Sequence, residues 1–192
     1  KTLLNSAKLY RHAVDSAPFG VSSEGVSYDQ ETVVKRKKKV VRKLVAAIRS
    51  QMREAGVEVI SEKAMILPKE GEAFRVQGGG ESYESKYLII ATGSEAVILP
   101  VPGVAEALGD TVITNREILD LEEIPQTLIV IGGGVIGLEM ACYYQAVGSQ
   151  VIVIEMLDHI AGNIDPEMGR RLQQTYEKMG MTFHLSARVT RV

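Results

Sequence analysis

A single cysteine, Cys142, stands among 192 residues. It excludes an internal disulfide, so a reducing, cytoplasmic compartment is expected. A surplus of one charge is missing too, because 22 Lys and Arg face 24 Asp and Glu. No global field therefore draws the chain to nucleic acid or to an anionic membrane surface. Histidine is scarce, and His12, His159 and His184 have no spacing that would assemble a metal site. Long uninterrupted apolar runs are absent. The most apolar stretch, residues 127–147, carries Glu139 and four glycines, which argues against a bilayer span. No signal-peptide pattern, internal repeat or low-complexity tract occurs. The first residue is not Met and the last falls in a strand-like segment, so both ends read as cuts in a longer protein.

What is present divides into two patterns. Residues 1–14 place Leu3, Leu4, Ala7, Tyr10 and Val14 on one face of a helix, and a Gly/Ser-rich loop follows over 16–27. A long helix is expected over about 29–55. Its apolar residues, among them Val33, Val34, Val41, Leu44, Val45, Ile48 and Met52, recur at three and four, and Gly56 is a natural stop. The run Lys35-Arg36-Lys37-Lys38-Lys39 lies on this helix without interleaved aromatics and reads as a solvated face, not a nucleic-acid patch. The period then changes. Strands are expected over 57–66, 73–77 and 83–90, with turns at 68–71 and at Gly78-Gly79-Gly80. A crossing segment with Pro100 and Pro102 leads to a short helix over 114–121, capped by Thr114 or Asn115. From 127 onward, strand, glycine-led helix, strand, helix and strand follow at 128–131, 132–147, 151–154, 166–179 and 182–185.

Gly132-Gly133-Gly134-Val135-Ile136-Gly137 fits G-x-G-x-x-G, a weak pattern by itself. Here it follows an apolar strand and opens a helix. An acid, Glu155, ends the next strand about 20 residues on, as a dinucleotide fingerprint requires. Gly132 permits the tight turn, Gly134 lets backbone approach a pyrophosphate, and Gly137 lets helix and strand pack closely. The helix N-terminus offers N–H groups and the positive end of its dipole to phosphate. Glu155 can accept the adenosine ribose hydroxyls and would repel a 2′-phosphate, with no adjacent arginine to accommodate one, so NAD is expected over NADP. The bland alternative, a glycine turn beside an unrelated surface glutamate, must explain five features falling in order.

Three stretches carry a family resemblance over the whole chain: Lys1-Thr2-Leu3-Leu4, Tyr87-Leu88-Ile89-Ile90-Ala91-Thr92-Gly93-Ser94, and residues 130–155. They resemble, in turn, the segment after the redox-active cysteine pair of dihydrolipoamide dehydrogenases, the A-T-G link between FAD and NAD domains, and the NAD fingerprint. The chain is thus similar to the pyridine nucleotide–disulfide oxidoreductases. The resemblance implies an α/β fold. A partial FAD-binding Rossmann-like domain of helices and a β-meander would cover residues 1–94, and the N-terminal part of an NAD-binding Rossmann domain 95–192.

It further implies the cofactors FAD and NAD and electron flow from dihydrolipoamide, or another disulfide substrate, through an enzyme disulfide and FAD to NAD. FAD would involve Lys1, Ala64, Thr92, Gly93 and Ser94. NAD would involve Gly132, Gly133, Gly134, Val135, Ile136, Gly137, Glu139, Glu155 and Val189, with Glu139 able to pair with Lys1 once the flavin site is complete. Val135, where glutathione reductases typically carry tyrosine, and Glu155 point to the lipoamide branch. The redox cysteines and a catalytic His–Glu pair would lie outside these residues, leaving the chain itself without catalytic residues. The intact parent would be a homodimer, within a 2-oxo acid dehydrogenase complex or a glycine cleavage system. An FAD-dependent NADH oxidase, another NADH-driven reductase and an inactive NAD-binding module remain open alternatives. Cys142, Tyr143 and Tyr144 are expected to pack, the tyrosines alternatively to face solvent.

Overall fold

The computed structural model describes residues 1–69 and 71–192. Two compact units divide the chain, one formed by residues 1–41 with 96–192 and the other by 42–95. The expected boundary at 94/95 falls beside one edge of this division, while the first 41 residues group with the nucleotide-fingerprint half.

In the larger unit, helix α1 (Thr2–Val14) buries Leu3 and Ala7 and packs on the helix that follows the glycine turn. Helix α2 (Gln30–Glu54) begins where the Asp29 carboxylate accepts from the Thr32 N–H at 3.0 Å and the Thr32 hydroxyl at 2.7 Å. It ends at Glu54, just before the left-handed Gly56, with Val57 N–H donating to the Met52 carbonyl at 2.9 Å. Within the larger unit the basic run is partly neutralised. Lys37 Nζ lies 2.7 Å from Asp120, and Lys38 Nζ 3.3 Å from Glu122. Farther along α2 the apolar stripe Val41, Leu44, Val45 and Ile48 is exposed. The periodicity thus identifies the helix, but its apolar face is buried only near its start, at Val34.

The smaller unit holds an antiparallel meander of β1 (Met65–Ile66), β2 (Phe74–Gly78) and β3 (Glu81–Ser85). Val76 pairs with Tyr83, and Gly78 with Glu81 closes a two-residue turn. Gly79 and Gly80 both take positive φ, 60° and 83°, the conformation a tight hairpin needs and glycine adopts without strain. The turn expected over 68–71 includes Glu70, which lies outside the described residues. Two expected strands are shorter than the sequence implies. Residues 57–64 form no strand, and β3 ends at Ser85, leaving Tyr87, Ile89 and Ile90 irregular and exposed. A strand needs a neighbour for its N–H and C=O groups, and no strand pairs with these segments among the described residues.

The fingerprint half is regular: β4 (Thr127–Ile131), α3 (Val135–Ala146), β5 (Gln150–Ile154), α4 (Pro166–Lys178) and β6 (Thr182–His184). The strands form a parallel sheet in the order β4-β5-β6, with Val130 opposite Val153 and Val153 opposite Phe183. This is a βαβαβ unit, its elements in the expected order. Pro166 occupies the first turn of α4, and Asp165 caps it by accepting from the Glu167 and Met168 N–H groups at 2.9 and 3.2 Å. The short helix before β4 is a 3-10 turn, Glu117–Asp120, with Arg116 at its N-cap and not Thr114 or Asn115. Thr114 still bonds to this turn, its N–H and hydroxyl both donating to the Glu117 carboxylate. The core centres on Val151, Val153, Ala141, Tyr143 and Tyr144. No helix among the described residues is long and apolar enough to cross a membrane.

Candidate functional site

β4 and β5 carry the site at their C-terminal ends. The Gly132 N–H donates to the Ile154 carbonyl at 2.8 Å, which continues the ladder into the turn, and its φ of 104° is a conformation L side chains rarely adopt. Gly134 is the N-cap of α3, and no side chain caps that helix end. A Cβ placed on Gly134 would meet nothing within 4 Å, so the backbone there lies open to a ligand. A Cβ on Gly137 would lie 2.6 Å from the Gly132 carbonyl oxygen and 3.0 Å from Val130 Cγ1. That glycine is where helix meets strand. Val135 and Ile136 stand exposed on the first turn. Open backbone and an uncapped helix N-terminus fit a pyrophosphate.

Glu155 follows β5 directly. Its Oε2 accepts the Gly133 N–H at 2.6 Å, and its Oε1 accepts the Leu157 N–H at 2.8 Å. The carboxylate therefore sits beside the glycine turn. The loop after it returns to the same turn, where the Ala161 N–H donates to the Gly133 carbonyl at 2.7 Å. The sequence reading missed this second attachment, because no local pattern marks Ile160 or Ala161. The segment beyond β6 runs beside Glu155, with the Ala187 N–H on the Glu155 carbonyl at 2.9 Å, and Val189 lies half-buried two residues on.

Lys1 Nζ lies 3.8 Å from Glu139 Oε1. The pair was expected to need a completed flavin site, yet the two groups already approach in this chain. Lys1 is 96% exposed, so solvent screening leaves the contact little weight in stability. The remaining expected flavin residues belong to the smaller unit. Ala64 is exposed just before β1, and Thr92, Gly93 and Ser94 lie exposed in a segment without regular structure.

A family profile described as pyridine nucleotide-disulphide oxidoreductase matches residues 1–192. The chain belongs to this family. Among curated relatives, it is 37% identical over 194 residues to a dihydrolipoyl dehydrogenase of Acholeplasma laidlawii, covering all of this chain and 56% of that protein. It is 38% identical over 198 residues to one of Bacillus subtilis, covering 98% of this chain and 41% of that protein. The chain thus spans 41% to 56% of these relatives' length. Among solved structures, LpdA from Mycobacterium tuberculosis superposes with a TM-score of 0.84 at 26% identity, covering this whole chain and 42% of that one. The flavoprotein disulfide reductase RclA from Escherichia coli shares the fold at a TM-score of 0.73 and 23% identity, over 97% of this chain and 39% of that one.

The other chemistry-bearing side chains of this family member have structural settings. Cys142 is half-buried against the core, where burial and then the Glu139 charge push its thiol up, away from thiolate chemistry. No cluster of His, Cys, Asp and Glu among the described residues is placed to hold a metal ion. His159 Nδ1–H donates to Asp158 Oδ1 at 2.6 Å, and this bond raises the imidazole above its ordinary value. Its stabilising effect is present below the unfolded-state value, about 6.5, and is lost as pH rises through the raised folded-state value. An NMR titration of the His159 ring should therefore show a midpoint above that of a free imidazole. Asp158→Asn should return it, and an unmoved midpoint would show that the bond is not kept in solution.

Proposed function

We propose that this chain is the nucleotide-binding core of an NAD-dependent dihydrolipoyl dehydrogenase whose intact form is a cytoplasmic homodimer serving a 2-oxo acid dehydrogenase or glycine cleavage system. Residues 1–94 belong to its FAD domain and 95–192 to its NAD domain. The observation that carries this reading is the Glu155 carboxylate hydrogen-bonded to the glycine turn at the neighbouring strand end. An acid fixed there binds ribose hydroxyls and opposes a 2′-phosphate. The relatives named dihydrolipoyl dehydrogenase supply the substrate class.

In this reading Gly132, Gly133, Gly134, Val135, Ile136 and Gly137 seat the pyrophosphate on the α3 N-terminus, Glu155 holds the adenosine ribose, and Val189 lines the adenine side. Lys1 stands near the flavin ring and orients Glu139 toward the nicotinamide, Ala64 meets the adenine end of FAD through its backbone, and Thr92, Gly93 and Ser94 contact the ribose–pyrophosphate. When bound, FAD supplies the two-electron relay between the enzyme disulfide and NAD, so that a dithiol is oxidised and NAD is reduced to NADH with release of a proton.

Fluorescence titration of the 192-residue chain with NADH and NADPH tests the nucleotide part. NADH should bind at least about tenfold more tightly, a difference of about 1.4 kcal/mol. Equal or tighter NADPH binding would overturn the assignment. For the full-length protein, NAD reduction driven by dihydrolipoamide tests the substrate. NADH consumption with oxygen, and none with lipoamide, would instead make it an NADH oxidase.

A further inference from the structure

G-x-G-x-x-G leaves its second position free, yet Gly133 occupies the most enclosed point of this turn. A Cβ there would lie 3.3 Å from Glu155 Oε2, 3.3 Å from Ile160 Cγ2 and 3.4 Å from Glu155 Cβ. Both backbone groups of Gly133 are used, since its N–H donates to Glu155 Oε2 at 2.6 Å and its carbonyl accepts from Ala161 N–H at 2.7 Å. Ile160 is buried beneath this contact, and Ala161, buried beside it, holds a φ of 66°. A non-glycine residue in that conformation is uncommon and is kept only where its surroundings fix it. The turn after β4 and the loop after β5 are therefore joined at one residue.

The consequence lies in Glu155. A surface glutamate can rotate away from an unwelcome 2′-phosphate and so discriminates weakly. Here each carboxylate oxygen already accepts a backbone N–H, from Gly133 and from Leu157. Such charge-assisted bonds are short and strong, and rotation would break both. We propose that Gly133 is a specificity-determining positioning residue. By latching Glu155 it turns that carboxylate into a fixed barrier to the 2′-phosphate, while Ile160 and Ala161 hold the latch shut. The proposal rests on the NAD-site reading above. It adds that selectivity depends on a residue outside the three-glycine signature, through preorganisation of Glu155 in addition to that residue's place in the pyrophosphate turn.

Gly133→Ala tests it, because the added methyl faces Glu155 and Ile160. The dissociation constants of NADH and NADPH are measured for the unsubstituted chain and the variant, with the thermal midpoint as a check on folding. The latch predicts that the NADPH-to-NADH ratio of dissociation constants falls at least about tenfold in the folded variant. A merely structural role would weaken both nucleotides together, and an unchanged ratio overturns the proposal. If the unsubstituted chain binds neither nucleotide, the underlying NAD-site reading fails instead, and the latch with it. Should the variant not fold, hydrogen exchange of the Gly133 amide in the unsubstituted chain decides. Protection that Glu155→Ala abolishes supports the latch, and exchange as fast as an open loop amide overturns it.

Discussion

Gly134→Val should abolish NADH binding and leave the chain folded, whereas Gly137→Val, three residues on, should cost the fold itself. The two glycines look equivalent in the signature but face opposite ways. Space around the Gly134 Cβ position is empty, and its φ of −74° suits any L residue, so valine there meets no protein atom from its Cβ. What it would meet, in the proposed NAD site, is the pyrophosphate, at the point where backbone must come close. The expected loss is about 100-fold or more in affinity, about 2.7 kcal/mol, with the melting midpoint held within a degree or two. At Gly137 the Cβ would stand 2.6 Å from the Gly132 carbonyl oxygen, a backbone atom that cannot step aside alone. Helix α3 must leave β4, at a cost of about 3 kcal/mol or more. Helix propensity favours valine over glycine by a few tenths of a kcal/mol, about 0.4, so observed destabilisation isolates the steric term. Calorimetry and NADH titration of both variants decide. Tight binding by the Gly134 variant would remove the pyrophosphate assignment, and a Gly137 variant as stable as the parent chain would remove the close-packing account.

The fold of the βαβαβ half was legible in the sequence because its determinants are local. An apolar strand, a glycine turn, a helix and a second strand follow one another, and Glu155 lies at a fixed offset from the glycines. The meander turn at Gly79 and Gly80 was legible for the same reason. What could not be read depends on partners distant in sequence. Ile89 and Ile90 have strand-like composition, yet a strand exists only with a neighbour, and Ile89 is 87% exposed. The exposed Leu44 and Ile48 tell the same story for α2, where period fixes the helix but burial needs a covering surface. The Ala161 attachment to Gly133 was invisible because alanine carries no signal for a left-handed backbone, and the Lys1–Glu139 approach was read only through family resemblance.

Tyr143→Phe, a loss of one oxygen, should be the most damaging conservative change in the core. Tyr143 is fully buried, and its hydroxyl donates to Gln30 Oε1 at 2.6 Å and lies 3.0 Å from the Tyr28 hydroxyl. Gln30 in turn donates its amide to the Leu121 carbonyl at 2.8 Å, so one side chain of α3 ties the start of α2 to the segment before β4. Phenylalanine keeps the edge-on contact with Tyr144, whose centroid lies 4.9 Å away, but strands the buried Gln30 side-chain oxygen and takes a partner from the half-buried Tyr28 hydroxyl. That costs about 1–3 kcal/mol, a fall of roughly 2–4 °C in melting midpoint for each kcal/mol. Tyr143→Ala adds a cavity, for about 3–5 kcal/mol from lost packing alone. The alkaline limb gives an independent signature. Burial pushes the phenols of Tyr28, Tyr143 and Tyr144 up. Their neutral forms are favoured in the folded state, so this stabilisation is intact below the unfolded-state value of about 10 and drains away as pH rises beyond it. Melting midpoints measured from pH 8 to about 11 should therefore fall more steeply for the unsubstituted chain than for Tyr143→Phe, which has one fewer phenol to ionise on unfolding. Parallel curves would mean that Tyr143 ionises as readily folded as unfolded, and the buried network would have to be abandoned.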